Sequence, residues 1–191
     1  TGKPIAEELQ RRLPVTIELA LLGTLFSVVI AVPLGVIAAA NHGSWIDRLF
    51  QVVTIAGLAM PSFWIATLMI VALVIAFNWM PPLEFSYFHR NLGANLAQMI
   101  WPALALGYSF SAVMGRMVRS SMLEVLRQDY IRTAYSKGLI RRIVMFRHAL
   151  KNALLPAVTL MGLEFAGLMG GSVIMERIFV LPGMGSLLIE G

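Results

Sequence analysis

The chain has 191 residues, of which 58% are hydrophobic and 13% charged, with a formal net charge of +5. Soluble domains average about 45–50% apolar and about 25% charged residues, so a water-soluble fold is excluded and lipid must supply much of the burial. The absence of cysteine excludes disulfides and thiolate metal sites, and a basic charge concentrated between apolar runs argues for membrane orientation and against nucleic acid.

A membrane helix needs about 20 predominantly apolar residues to cross about 30 Å of hydrocarbon. The expectation is an all-α integral membrane protein, a polytopic helical bundle in one domain. The chain starts at Thr1 and stops at Gly191 in a glycine-containing stretch, so it reads as a section of something longer with spans missing at both ends. Arg11 and Arg12 precede a run much longer than the apolar core of a secretory leader, so no leader is predicted in this stretch.

The first span is predicted over 15–40, with Glu18 as its one charge, an interfacial or capping residue. Pro33 and Gly35 predict a local kink there. After the polar turn Asn41-His42-Gly43-Ser44, a second run covers 49–77 and is interrupted by Met60-Pro61-Ser62, which makes it either one kinked span or two broken halves. Residues 78–100 carry Pro81, Pro82, Asn91, Gly93 and Asn95 between Trp79, Tyr87 and Trp101, the pattern of a loop bounded by an aromatic belt. A third span is predicted over 101–118 and a fourth over 153–175.

In the fourth span Gly162, Ala166 and Gly170 recur every four residues, and Gly167 with Gly171 forms a GxxxG. Such a face lets another backbone approach closely, so this is predicted to be a packing helix. Glu164 sits mid-span, where a carboxylate costs about 2.5 to 3.5 kcal/mol on insertion scales; it is a candidate pathway residue, the alternative being a hydrogen bond to a neighbouring helix.

The segment 116–151, from Arg116 to Lys151, holds nine of the fifteen Lys and Arg residues against only Glu124 and Asp129. The positive-inside rule makes a cytoplasmic loop of about 119–152, with the 41–48 turn on the same side and 1–14, 78–100 and 176–191 opposite. Lys3, Arg11 and Arg12 then lie outside, balanced only by Glu7 and Glu8. Apolar residues at helical spacing over 124–137 and 143–154 predict two short amphipathic helices meeting near Lys137-Gly138, where glycine accepts a left-handed conformation. A hairpin with Thr133 and Ala134 as a small-residue knob fits a groove on a soluble partner; a basic helix lying on anionic lipid fits the charges equally well. His42, His89 and His148 lie on different loops and are read as solvated, not as a shared metal site. The twelve methionines read as lipid-facing or packing residues, and no spacing suggests catalysis.

The stretch 130–156, Y-I-R-T-A-Y-S-K-G-L-I-R-R-I-V-M-F-R-H-A-L-K-N-A-L-L-P, resembles the EAA loop of ABC importer permeases, in particular the dipeptide, oligopeptide and nickel branch. The flanking motifs R-L-P-V-T-I-E-L, P-S-F-W and E-R-I-F-V-L-P-G-M-G-S-L-L carry the resemblance over nearly the whole chain. The chain departs from the general pattern in having Arg132-Thr133-Ala134 where that pattern has Glu-Ala-Ala, and in a longer interval from Gly138 to Leu155-Pro156.

The resemblance implies a type I importer permease core. A second permease, by the family a paralogue, would complete the pathway, separate ABC ATPase subunits would dock on the coupling loop, and an extracytoplasmic binding protein would deliver peptides or a related solute. It also implies a multi-pass protein of a bacterial or archaeal cytoplasmic membrane. Arg132, Thr133, Ala134, Lys137, Gly138, Arg141, Leu155 and Pro156 are the implied ATPase-coupling residues. Glu164, Gly162, Ala166, Gly170 and Pro61 are the candidates for pathway or helix packing. No P-loop sequence, G-x-x-x-x-G-K-[ST], occurs in these residues, so ATP hydrolysis and cofactor binding are not expected of this chain. The reading from another functional class is a membrane anchor or channel whose basic hairpin binds lipid.

Overall fold

The computed structural model describes residues 5–82 and 84–190, and all regular structure among them is helical. Helix α1 (Ile5–Ala40) continues through Pro14 and Pro33. Helices α2 (Trp45–Ala59) and α3 (Ser62–Phe77) meet at 100°, so the second apolar run is two broken halves. The cause is local. Pro61 has no N–H to continue the helix and pushes Met60 into an extended conformation, φ −93° and ψ 122°.

Helix α4 (Leu92–Val125) starts well before the predicted third span. Asn91 caps it, its Oδ1 accepting from the Ala94 N–H at 3.1 Å. Residues 92–100 looked too polar for a helix in lipid, but Asn95 and Gln98 are buried and serve the adjoining loop. Gln98 Oε1 accepts from the Ser86 N–H at 3.1 Å and its Nε2 donates to the Glu84 carbonyl at 3.2 Å, while Asn95 Nδ2 donates to the Ser86 carbonyl at 3.1 Å. Each side chain replaces water for a backbone group that the fold removes from solvent. The loop is thereby confined to 78–91.

Two long helices, α1 and α4, form the axis of the molecule and run in the same direction, since Gly23 lies against Ala103 and Leu106 while Gly35 lies against Gly115 and Val118. Gly23, Ser27, Ala31 and Gly35 on α1 face Ala103, Gly107, Ser111 and Gly115 on α4, and all eight are buried. Small residues at every fourth position on both partners let the backbones touch. The small-residue face expected on the fourth span meets no partner among the described residues of this chain: around Gly162 and Gly167 on α8 (Leu155–Gly171) the space is open, and Ala166 is exposed. The surroundings of Gly170 and Gly171 lie outside the described residues.

The basic segment folds as α5 (Asp129–Ser136), then α6 (Arg141–Ile143), a π-helical turn over Val144–Ala149, and α7 (Leu150–Ala153), which runs into α8. The second predicted amphipathic helix is therefore the lower part of a longer helical run, bent by 47° before α8. Pro156, in the first turn of α8, supplies no N–H across that bend. Helices α9 (Val173–Ile178) and α10 (Met184–Glu190) fold back over the start of α1.

By length and composition α1 and α4 are each long and apolar enough to cross a membrane, and four spans result if each bent pair counts as one. The contacts sort the connections into two ends. Glu18, Asn95, Ser86, Glu176 and Ser186 gather at one; Ala40, Asp47, Arg119 and Arg141 gather at the other.

Candidate functional site at the basic end of the bundle

Two polar clamps hold the basic end together. Arg119 on α4 donates to Asp47 through Nε to Oδ1 at 2.5 Å and through a terminal nitrogen to Oδ2 at 2.7 Å. This two-pronged pairing fixes orientation as well as distance. The Asp47 side chain is almost fully enclosed, at 2% exposure. It lies outside the apolar run, at the turn, where it also accepts the Gly43 N–H at 3.0 Å, and His42 Nδ1 lies 3.2 Å from the same carboxylate.

The paired guanidinium offsets the cost of enclosing the Asp47 carboxylate, which would be high for a lone charge. His42, read from sequence as a solvated loop residue, is exposed and also borders this clamp. In the second clamp, Arg141 donates to the carbonyl of Ala40, the last residue of α1, and ties the basic segment to the end of the axis.

Gly138 terminates α5 with φ +79°, as its glycine predicted. Its N–H donates to the Tyr135 carbonyl at 2.9 Å, and the Leu139 N–H reaches back to the Ala134 carbonyl at 3.4 Å. These are the two crossed hydrogen bonds of a Schellman ending, which requires a left-handed residue at this position. Asn152 Nδ2 donates to the Tyr130 hydroxyl at 2.8 Å, closing the segment against α7.

The predicted coupling residues divide by exposure. Arg132, Thr133, Lys137 and Gly138 are exposed on the outer surface of this turn, and Arg141 is exposed although engaged with Ala40. Ala134 is turned the other way, buried with Ile131, Val144 and Met145 in the same apolar cluster as Met114 and Val118 of α4. Half of the expected knob is thus internal support, and Thr133 is the half on display. Leu155 is exposed and Pro156 stands at the bend, some way along the chain from the turn.

The other end carries a site that residue spacing did not disclose. Glu176 is fully buried and accepts from Thr16 Oγ1 at 2.7 Å, Ser172 Oγ at 2.8 Å and the Ser186 N–H at 3.1 Å. Its carboxylate occupies the place a side chain at Gly183 would need. Arg12 bridges Glu8 at 2.9 Å and donates to Ser186 Oγ at 2.9 Å, which accounts for one of the basic residues on this side; Lys3 lies outside the described residues. Glu18, expected to be interfacial or capping, lies at this end of the bundle and accepts from Asn95 of α4 at 3.3 Å. The available signal was the pairing of two quoted motifs, R-L-P-V-T-I-E-L and E-R-I-F-V-L-P-G-M-G-S, whose Thr16, Glu176 and Ser186 meet here.

Comparison with known proteins decides the family. Residues 31–191 match the model of the binding-protein-dependent transport system inner membrane component. The chain belongs to that family. Among its curated relatives, the oligopeptide transport system permease protein AppB of Bacillus subtilis is 39% identical over 99% of the chain, and the glutathione transport system permease protein GsiC of Escherichia coli is 36% identical over 98%. The chain spans 60% of the first relative's length and 59% of the second's. A solved amino acid ABC transporter with histidines aligns at a TM-score of 0.61 over 97% of this chain and 78% of that one; at 16% identity it shows the shared fold. The all-helical permease fold and membership of an inner-membrane transport family, both expected from the resemblance, are thereby established.

Proposed function

We propose that this chain forms the membrane core of a permease subunit in an ATP-driven importer of peptides or a related small solute. The importer sits in the cytoplasmic membrane of a bacterium or archaeon, and the permease crosses it several times. ATP is hydrolysed by separate ATPase subunits, a second permease completes the pathway, and an extracytoplasmic binding protein delivers the solute. Peptides rank first because the relatives' names include oligopeptide and glutathione transport.

The observation that carries the reading is the Schellman-ended α5, held by Arg141 and Ala134 directly beneath the α1–α4 axis. A push on the exposed face of Thr133 and Lys137 is passed through packed side chains to the two longest helices. Movement between inward-facing and outward-facing states then uses the broken corner at Pro61 and the bend before α8 as joints.

Gly138→Val tests the coupling. A β-branched side chain in a left-handed conformation costs roughly 1–2 kcal/mol and should unseat the turn. Recovery of the ATPase with the full-length, membrane-inserted permease is expected to fall at least severalfold. Thr133→Trp, which changes only an exposed position, should reduce recovery equally. If both variants recover as much ATPase as wild type, the segment does not dock there.

Ile140, Ile143 and Phe146 are exposed beside Arg142 and Arg147, a face that also suits a lipid-bound anchor or channel. That reading would predict recovery of no ATPase even with the wild type.

Glu164 is the pathway candidate. It is buried on α8, and neither carboxylate oxygen has a hydrogen-bond partner among the described residues. A group left in that state calls for something beyond these residues to satisfy it, a solute or a second subunit. Uptake by Glu164→Gln in the assembled importer is expected to drop while expression and ATPase recovery hold. Unchanged uptake would remove the carboxylate from transport.

A further inference from the structure

The face of α4 next to the Asp47–Arg119 clamp carries a groove that neither the coupling turn nor the solute pathway uses. A space of about 450 Å³ opens between α2 and α4, lined by Gln51, Thr54 and Ile55 from one helix and by Arg116, Arg119 and Ser120 from the other. Its chemistry is graded along the helices. Gln51, Arg116 and Ser120 lie towards the basic end, next to the clamp; Ile55, with Val113 across the groove, lies one turn deeper in the bundle.

Charge in this region is not balanced. Asp47, the carboxylate at this level, is fully engaged by Arg119. Arg116 is exposed and has no ion-pair partner among the described residues, and Arg48 beside Asp47 is likewise exposed. An unpaired guanidinium ringed by amide and hydroxyl groups matches a phosphodiester, because its planar fork binds two oxygens of one phosphate. Exposed Ile55, with Val113 across from it one turn deeper, suits an acyl chain.

We propose that this groove binds an anionic phospholipid of the cytoplasmic leaflet, its phosphate on Arg116 with Gln51 and Ser120 and its acyl chain along Ile55 and Val113. The occupant is a lipid and not a soluble phosphate because the charged and amide groups, Arg116, Arg119 and Gln51, lie at one end of the groove, whereas Ile55 and Val113 line the deeper end, where the Thr54 hydroxyl is already spent on the Gln51 carbonyl. A basic residue near the membrane surface also gains from the negative potential of anionic lipid. Because α2 carries Asp47, a bound lipid would brace the helix that closes the clamp. The proposal uses the membrane placement of the bundle and does not depend on what the permease carries.

The test is native mass spectrometry of the assembled full-length transporter in detergent, with equal amounts of phosphatidylglycerol and phosphatidylcholine. Wild type is expected to retain phosphatidylglycerol preferentially. Arg116→Gln should cut that retention about fivefold, the loss corresponding to one basic contact with an anionic headgroup. Arg132→Gln, which changes an exposed arginine of the coupling turn, should leave it unchanged. If Arg116→Gln fails to assemble, Ser120→Glu, at an exposed position of the lining, places a like charge against the phosphate and should give the same loss.

Glycerol 3-phosphate should not displace the lipid; displacement at millimolar concentration would reassign the groove to a soluble anion. Equal retention of both lipids by wild type, or undiminished retention by Arg116→Gln and Ser120→Glu, would overturn the proposal. So would a wild-type assembly that binds no lipid because the second permease covers the groove.

Discussion

Gly107→Leu is expected to stop α1 and α4 from packing and to leave little assembled permease in the membrane. A Cβ at Gly107 would meet Phe26 Cβ at 2.7 Å, the Gly23 carbonyl at 3.0 Å and the Ser27 nitrogen at 3.1 Å, and two of these three are backbone atoms that no rotamer change can move. Glycine to alanine in a helix interior ordinarily gains about 1 kcal/mol from propensity. Here overpacking costs about 1–3 kcal/mol and wins, so even Gly107→Ala should be neutral or destabilising. Leucine adds four carbons to a space without room for one. Gly162→Leu on α8 is the control: nothing lies within 4 Å of its Cβ in this chain. The measurement is the thermal midpoint and monodispersity of the detergent-purified full-length subunit. A Gly107→Leu variant as stable as wild type would mean that the axis is not built on close backbone contact.

Glu176→Ala is expected to release α10 and the turn before it from α1. The substitution strands two hydroxyls and a backbone N–H in a site from which water is excluded. With each unsatisfied group costing about 1–3 kcal/mol, the loss is about 3 kcal/mol or more, large against the 5–15 kcal/mol that separates folded from unfolded states. Val180, in the same turn, has φ +56°, an unusual conformation for a β-branched residue that surrounding contacts must hold in place. Limited proteolysis should therefore cut near 180–186 in Glu176→Ala and not in wild type. Glu176→Gln keeps one acceptor oxygen and should lie between them. Equal resistance in all three proteins would show that the segment is held by its apolar contacts, Phe179 and Leu181 in the cluster with Leu19 and Met99.

The legibility of this molecule follows the range of the interaction concerned. Helix endings set by one residue were readable: Gly138 stops α5 in the left-handed conformation, and Pro61 breaks α2 from α3. The start of α4 was not, because Asn95 and Gln98 look like loop residues until their partners at Glu84 and Ser86 are known. The small-residue pattern was read on α8, where glycines cluster conspicuously, and missed on α1 and α4, where serine and alanine dilute it. A four-residue repeat specifies a flat helix face but not which helix will lie against it.

Composition, the apolar runs and the distribution of Lys and Arg were enough to determine a helical membrane protein with one basic end, because transfer to lipid and charge placement depend on each segment by itself. The quoted motifs extended this to the permease family. Tertiary structure alone decided that Ala134 faces inward while Thr133 faces out, that Asp47 belongs to Arg119, 72 residues away, and that Glu176 closes on Thr16, 160 residues away. A buried carboxylate is stabilised by the donors the fold brings to it, and those donors share no local pattern with it along the chain.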